Sequence, residues 1–348
     1  MAAPLRYALT ALCWGLMLFI YLPLLPAAEL LLSPAISVAH WRQLFNDPQL
    51  PQAIISTLVS TLIGVGGALL LALLAITTLW PSPRWQRLAS RLPWLLALPH
   101  VAFATCALLL FAEGGELYRL FPMLTAVQDR YGIGLGLVLA VKESGFLLWV
   151  CWALLGERLL AEQVVVFKSL GYGRGQSLIY VILPALMPSL SVALLATTAW
   201  TLSVVDVAMI IGPGNPPTLA VLAWQWLNAG DTDEQAKGAL ACLLLLAMLF
   251  MLAALAVGLW RTCRRRHPHP DGNRQPRFPL LPGRAIGLML PLSGVLCTAF
   301  LAWLAHASLP AMHTINSSLW LALLSSLIGA AVCLLWLEWG PSGHQRWL

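Results

Sequence analysis

Charge is what this sequence has least of. Only 10% of its 348 residues are Asp, Glu, Lys or Arg, against roughly 25% in a soluble domain, which excludes an ordinary water-soluble globular chain. Lysine occurs at 142, 168 and 237 alone. None of the three follows a glycine, so there is no GxxxxGK[ST] loop to hold nucleotide phosphates, which excludes a P-loop nucleotide hydrolase. A zinc framework is excluded in the same way. The seven cysteines (13, 106, 151, 242, 263, 297 and 333) are odd in number, show no CxxC spacing and fall in or beside apolar runs, so they read as small buried apolar residues. His267 and His269 stand beside a run of arginines and read as part of a solvated linker rather than as metal ligands.

What the chain has instead is grease: 59% hydrophobic residues and a mean hydropathy of +0.81. About 20 apolar residues at ~1.5 Å each cross ~30 Å of hydrocarbon. Eight runs of that size are present, at 7–28, 53–79, 92–112, 133–155, 185–211, 239–260, 285–305 and 316–337. The expected fold class is therefore an all-α polytopic membrane protein. The first run follows Arg6 and ends near Pro26-Ala27-Ala28, but it is long for a signal peptide and reads as an uncleaved span.

Basic residues set the orientation. With the N-terminus in the cytoplasm, fifteen of the twenty lie inside: Arg6, Arg84, Arg87, Arg91, Arg158, Lys168, Arg174, seven arginines from Arg261 to Arg284, and Arg346. Arg42, Arg119, Arg130 and Lys237 lie outside and Lys142 lies within a span, so the positive-inside rule selects this topology. The net charge of +6 thus reports topology, and no nucleic-acid partner is expected. Residues 261–284 combine arginines with Pro268, Pro270, Gly272, Pro276, Pro279, Pro282 and Gly283, the composition of an irregular linker.

The linker separates what reads as two copies of one unit. Ser60-Thr61-Leu62-Ile63-Gly64 is echoed by Ser325-Ser326-Leu327-Ile328-Gly329. Trp80-Pro81-Ser82 with Gln86-Arg87 is echoed by Trp339-Gly340-Pro341-Ser342 with Gln345-Arg346. On this reading residues 1–260 form a first unit of six spans and 285–348 open a second that stops after two. Such repeats are common in transporters.

One polar stretch interrupts the first unit. Leu160, Val164 and Phe167 lie at helical spacing among Glu157, Arg158 and Glu162. Gly171 then ends the helix, since a residue just past a helix often adopts a left-handed conformation that costs other residues about 1–2 kcal/mol. Gly173 and Gly175 keep the turn open, and a short second helix runs to Leu183-Pro184. Residues 157–183 are thus a cytoplasmic helical hairpin whose apolar stripes need a partner. The glycines beside Lys168 and Arg174 follow a helix, not a strand, which argues against a phosphate-binding loop.

This stretch resembles the signature of the permeases of binding-protein-dependent ABC importers: Glu-Ala-Ala, three residues, Gly, nine residues, Ile, one residue, Leu-Pro. Gly171, Val181 and Leu183-Pro184 match with the spacing intact, while Val165-Val166-Phe167 replace Glu-Ala-Ala. Across the chain the arrangement is similar to the fused permeases of the thiamine and ferric-iron importer class, nearest to thiamine-like inner-membrane permeases of enterobacteria. The resemblance implies an inner-membrane transport subunit without catalytic residues or cofactors of its own. Its partners would be cytoplasmic ABC ATPases, a periplasmic solute-binding protein and the lipid bilayer. Coupling to the ATPase would fall to Glu162, Val165, Lys168, Gly171, Gly173, Val181, Leu183 and Pro184, with Glu162 in place of the missing acidic residue.

Charged residues within or near spans are costly and usually functional. Lys142 and Glu143 are sequence neighbours and so do not face each other on a helix; they either pair elsewhere, one of them with Asp206, or line the solute pathway. Pro99-His100 predicts a kink beside a hydrogen-bonded histidine. Gly212, Asn215 and Pro216 belong to a loop, GPGNPPTL, that the resemblance makes the lead-in to a re-entrant segment at 219–227 near an outer gate. The competing function is an ion- or proton-coupled secondary transporter relaying charge through Lys142, Glu143 and Asp206.

Overall fold

The structure, a computed structural model, describes residues 11–112, 129–266, 270, 272–274, 281–307 and 312–339, apart from 13, 20 and 157. His267, His269, Glu157, much of the linker and the second copy's Gly340–Arg346 lie outside these. Every regular element among the described residues is helical. In chain order they are α1 (Leu24–Leu32), α2 (Val38–Phe45), α3 (Leu50–Leu79), α4 (Pro83–Ala89), α5 (Leu92–Ala97), α6 (His100–Phe111), α7 (Ile133–Leu155), α8 (Arg158–Ser169) and α9 (Arg174–Ser177). There follow α10 (Leu183–Ser203), α11 (Asp206–Ile211), α12 (Leu219–Leu227), α13 (Thr232–Arg266), α14 (Leu281–Ala307) and α15 (Met312–Trp339). Among the described residues, seven helical stretches are long and apolar enough to cross a membrane, eight if one bent pair is a single span. The protein is an all-α polytopic membrane protein.

The chain divides into two compact units, residues 34–301 and residues 1–33 with 302–348. In the second, α1 and the described side chains of α15 are almost wholly exposed. In the first, Ile286, Leu290 and Cys297 of α14 join the same buried cluster as Leu95 and Leu147.

At its centre α3 packs along α7. Small residues permit the close approach: an added Cβ at Gly67 would fall 2.7 Å from the Ala140 Cβ, and one at Gly136 would fall 2.9 Å from the Ser60 carbonyl. Close backbone contact through glycine and alanine is how helices gain dispersion energy where lipid removes the hydrophobic drive. The outward face does the reverse of a soluble protein's, leaving Leu62, Leu70, Val192, Phe250 and Leu259 exposed, as lipid contact requires.

Two predicted spans are broken. The third is a pair, residues 83–97 and α6, meeting at 91°, because Pro99 has no N–H to continue the helix. The fifth ends at Ser203, and residues 206–211 form the separate α11, with Val204 extended between them. By contrast α7 covers 133–155, the predicted fourth span end to end.

Candidate functional site

Two groups of candidate residues take shape. The first is the hairpin. On α8, Leu160 and Val164 are buried in the main apolar cluster, while Leu159, Val165 and Val166, with Leu170 just past its end, are exposed to between 54% and 71% and Glu162 is exposed beside them. One face anchors the helix and the other is apolar and open. Phe167 stacks on Tyr172 across the turn, with ring centroids 4.3 Å apart.

Gly171 makes that turn with φ of +91°, a conformation in which a side chain is strained. Its N–H donates to the Lys168 carbonyl at 2.9 Å. Gly173 donates to the Gln176 Oε1 at 3.1 Å and Ser177 Oγ to the Gly173 carbonyl at 2.9 Å, which starts α9. A single π-helical turn, Leu178–Ile182, carries Val181 into α10 at Leu183-Pro184, so that the hairpin's second helix runs directly on into a membrane span. The hairpin is tied at two further points, one to the bundle and one to the linker. Arg174 Nη1 donates to the Thr78 carbonyl at the end of α3 at 2.7 Å, and Gln176 Nε2 donates to the Asn273 carbonyl at 2.6 Å. Burial and, secondarily, the neighbouring Arg174 hold the Lys168 ammonium below the usual lysine pKa.

The second group is inside the bundle. Lys142 and Glu143 are both buried and point to different partners, as neighbours on a helix must. Lys142 Nζ donates to the Leu95 carbonyl. That carbonyl would ordinarily accept from residue 99, which is Pro99 and has no N–H. Lysine therefore satisfies the acceptor that proline orphans. Glu143 Oε1 meets His100 Nε2 at 2.8 Å, and the His100 ring lies 5.1 Å from that of Trp200. His100, Lys142, Glu143, Phe146, Thr197 and Trp200 line a cavity of about 290 Å³. Asp206 does not join them. It is exposed in the first turn of α11 and makes no ion pair among the described residues, so the three-residue charge relay does not assemble here.

The loop from Gly212 is built by local constraints. Gly212 closes α11 by donating to the Ala208 carbonyl at 3.0 Å, and an added Cβ would lie 2.5 Å from that oxygen. Asn215, exposed, and Pro216, half-buried, form the bend before Thr218, after which α12 begins. At nine residues α12 is about 14 Å long, too short to cross a bilayer, and its first five residues and Trp226 are buried. Thr57 Oγ1 accepts from the Leu219 N–H at 2.8 Å, satisfying one of the four donors a helix start leaves open. Nearby, Lys237 bonds Asp47 at 3.3 Å and Glu234 at 2.7 Å.

Sequence reasoning found the hairpin and the buried charges but missed their partners. The Lys142–Leu95 contact had a signal, because the residue four places after Leu95 is a proline. Thr57 with Leu219, Lys237 with Asp47, and the Sγ atoms of Cys106 and Cys297 at 3.2 Å had none, since each joins distant segments.

No protein-family model matches the chain. It is 58% identical over 348 residues to the inner membrane ABC transporter permease protein YnjC of Escherichia coli (strain K12), an alignment that takes in 100% of this chain and 68% of that protein. With a helical membrane bundle and the glycine-turned hairpin already in place, that identity along its whole length settles the kinship: the chain belongs to the ABC transporter permeases.

Proposed function

We propose that the chain is the membrane-spanning subunit of a bacterial ABC importer. It sits in the inner membrane with its N-terminus cytoplasmic, takes a small solute from a periplasmic binding protein, and is driven by ATPase subunits on separate chains. Residues 1–260 act as the first permease unit, 261–284 as a cytoplasmic linker and 285–348 as the opening of a second.

The observation that carries this reading is the two-faced α8. Leu160 and Val164 fix it to the bundle, while Leu159, Glu162, Val165, Val166 and Leu170 are left open on a segment outside the apolar spans. Burying such side chains is worth about 1.5–3 kcal/mol each, and the family's motor subunit is the partner that would bury them. Where the family signature carries an acidic residue, Val165 is exposed, and Glu162 lies one helical turn before Val166. Docking here is therefore mainly apolar, with Glu162 a carboxylate beside the patch. Lys168, Gly171, Gly173, Val181, Leu183 and Pro184 keep the hairpin in shape.

ATPase closure would move the bundle through the buried side of α8 and the tie from Arg174 to α3, provided docking differs in strength between the inward- and outward-facing states. The cavity at His100, Lys142, Glu143 and Trp200 lines the solute path, and Gly212, Asn215 and Pro216 with α12 form the outer gate.

Gly171→Val tests the assignment. A β-branched residue at a φ of +91° deforms the turn without touching a span. The variant is expected to insert and purify normally but to lose the ATPase on affinity purification and to lose ATP-driven uptake. Full uptake by this variant would overturn the reading.

A further inference from the structure

Beside the hairpin lies a cavity of about 320 Å³ whose lining includes Arg84, Arg87, Lys168, Arg174 and Arg284. Five cations from three distant stretches of sequence converge there: the α3–α4 turn and α4, the hairpin, and the start of α14. Among the described residues no carboxylate lines it or lies within ion-pairing distance of any of the five. A sphere of that volume is only about 8.5 Å across, comparable with the Debye length of about 8 Å at physiological ionic strength, so salt screens the mutual repulsion incompletely. One charge is accounted for. Arg174 donates to the Thr78 carbonyl at 2.7 Å, at the negative end of the α3 dipole. Arg84, Arg87 and Arg284 are exposed, Lys168 is half-buried, and among the described residues none of these four has a carboxylate partner that offsets its charge.

We propose that this cavity is a phosphate-binding site that takes either the headgroup of an anionic phospholipid or a soluble phosphate, and that its occupant ties the hairpin to the bundle. A phosphate group offers several acceptor oxygens to guanidinium forks that match them in pairs. The volume, at the low end for small-ligand sites, suits one headgroup and is too confined for a protein surface. Basic pockets between spans at the membrane edge are where lipid phosphates bind. The site differs from the glycine-rich turn, whose backbone makes helix-ending bonds. Here the side chains supply the charge, and Lys168 carries the consequence into α8.

The test uses the full chain purified in a neutral detergent. One arm titrates it with inorganic phosphate and pyrophosphate by calorimetry. The other reconstitutes it in nanodiscs of phosphatidylcholine with or without phosphatidylglycerol and reads retained lipid by native mass spectrometry. Saturable binding of one equivalent is expected in one arm, which identifies the source. It should weaken at least about tenfold in Arg84→Gln/Arg87→Gln and largely survive in Arg84→Lys/Arg87→Lys. Should the double variant unfold, Arg284→Gln alone is read against the same expectation. Saturable binding in neither arm, or binding unchanged in the glutamine variants, overturns the proposal. So does loss of ATPase association with phosphate and lipid binding intact, which would make the cluster a protein-docking surface.

Discussion

Gly136→Ala gives the sharpest test of what sets the distance between α3 and α7. An added Cβ lies 2.8 Å from the Ile63 Cβ and 2.9 Å from the Ser60 carbonyl oxygen. Ordinary carbon contacts are about 3.5–4.0 Å, so α3 and α7 would have to part by roughly 0.7–1.2 Å. Neither neighbour can swing aside, because one is backbone and the other a β-carbon. Overpacking of this kind costs about 1–3 kcal/mol, offset by up to about 1 kcal/mol from replacing a helical glycine with alanine. The net expectation is a loss of about 1–2 kcal/mol. Gly66→Ala, on α3 with nothing within 4 Å of its added Cβ, keeps the propensity gain and has no clash, so it should be neutral or stabilising by up to about 1 kcal/mol. Unfolding of the purified variants in mixed micelles, followed by tryptophan fluorescence, separates the two signs. Equal shifts for both variants, or a Gly136→Ala protein as stable as the parent, would refute the claim that glycine sets the α3–α7 distance.

Thr57→Val removes the oxygen that accepts the Leu219 N–H while keeping the side chain's shape; a loss of about 1–2 kcal/mol and faster amide exchange at the start of α12 are expected, and unchanged exchange there would contradict the capping role. Burial first, and Arg174 second, lower the Lys168 pKa from the usual 10.5, so between the lowered value and 10.5 the folded chain binds fewer protons than the unfolded one and this group's contribution to stability rises with pH. Amine acylation mapped by mass spectrometry should therefore reach Lys168 at a lower pH than an ordinary lysine, and Arg174→Gln should move that onset upward; an onset unaffected by Arg174→Gln would remove the arginine's part.

The spans were legible because lipid imposes one coarse rule, about twenty apolar residues in a row, and α7 obeyed it from end to end. The hairpin was legible because Gly171 is the residue a left-handed turn demands and Leu160, Val164 and Phe167 hold helical spacing around it. The break after Ser203 was not, since Val204 and Val205 are as apolar as their neighbours and carry no glycine or proline. The partners of Lys142 and Glu143 were half legible: adjacency on a helix showed that they diverge, but only the 91° break between α5 and α6 brings Leu95 and His100 to them. The basic cavity was invisible for the same reason, as Arg84, Lys168 and Arg284 are neighbours only after folding. The echoed segments at 60–64 and 325–329 are both helical, yet Gly64 lies against α7 whereas Gly329 has nothing within 4 Å of an added Cβ.

The central claim is that the open face of α8 is where a motor subunit grips the bundle. A photoreactive benzoyl-phenylalanine placed at Val166 and activated in native membranes measures this directly, with Val192 on α10, 67% exposed on a membrane span, as its control. The account predicts a covalent adduct between the Val166 chain and an ABC ATPase and none from Val192. No ATPase adduct from Val166, or equal yields from both positions, would contradict it.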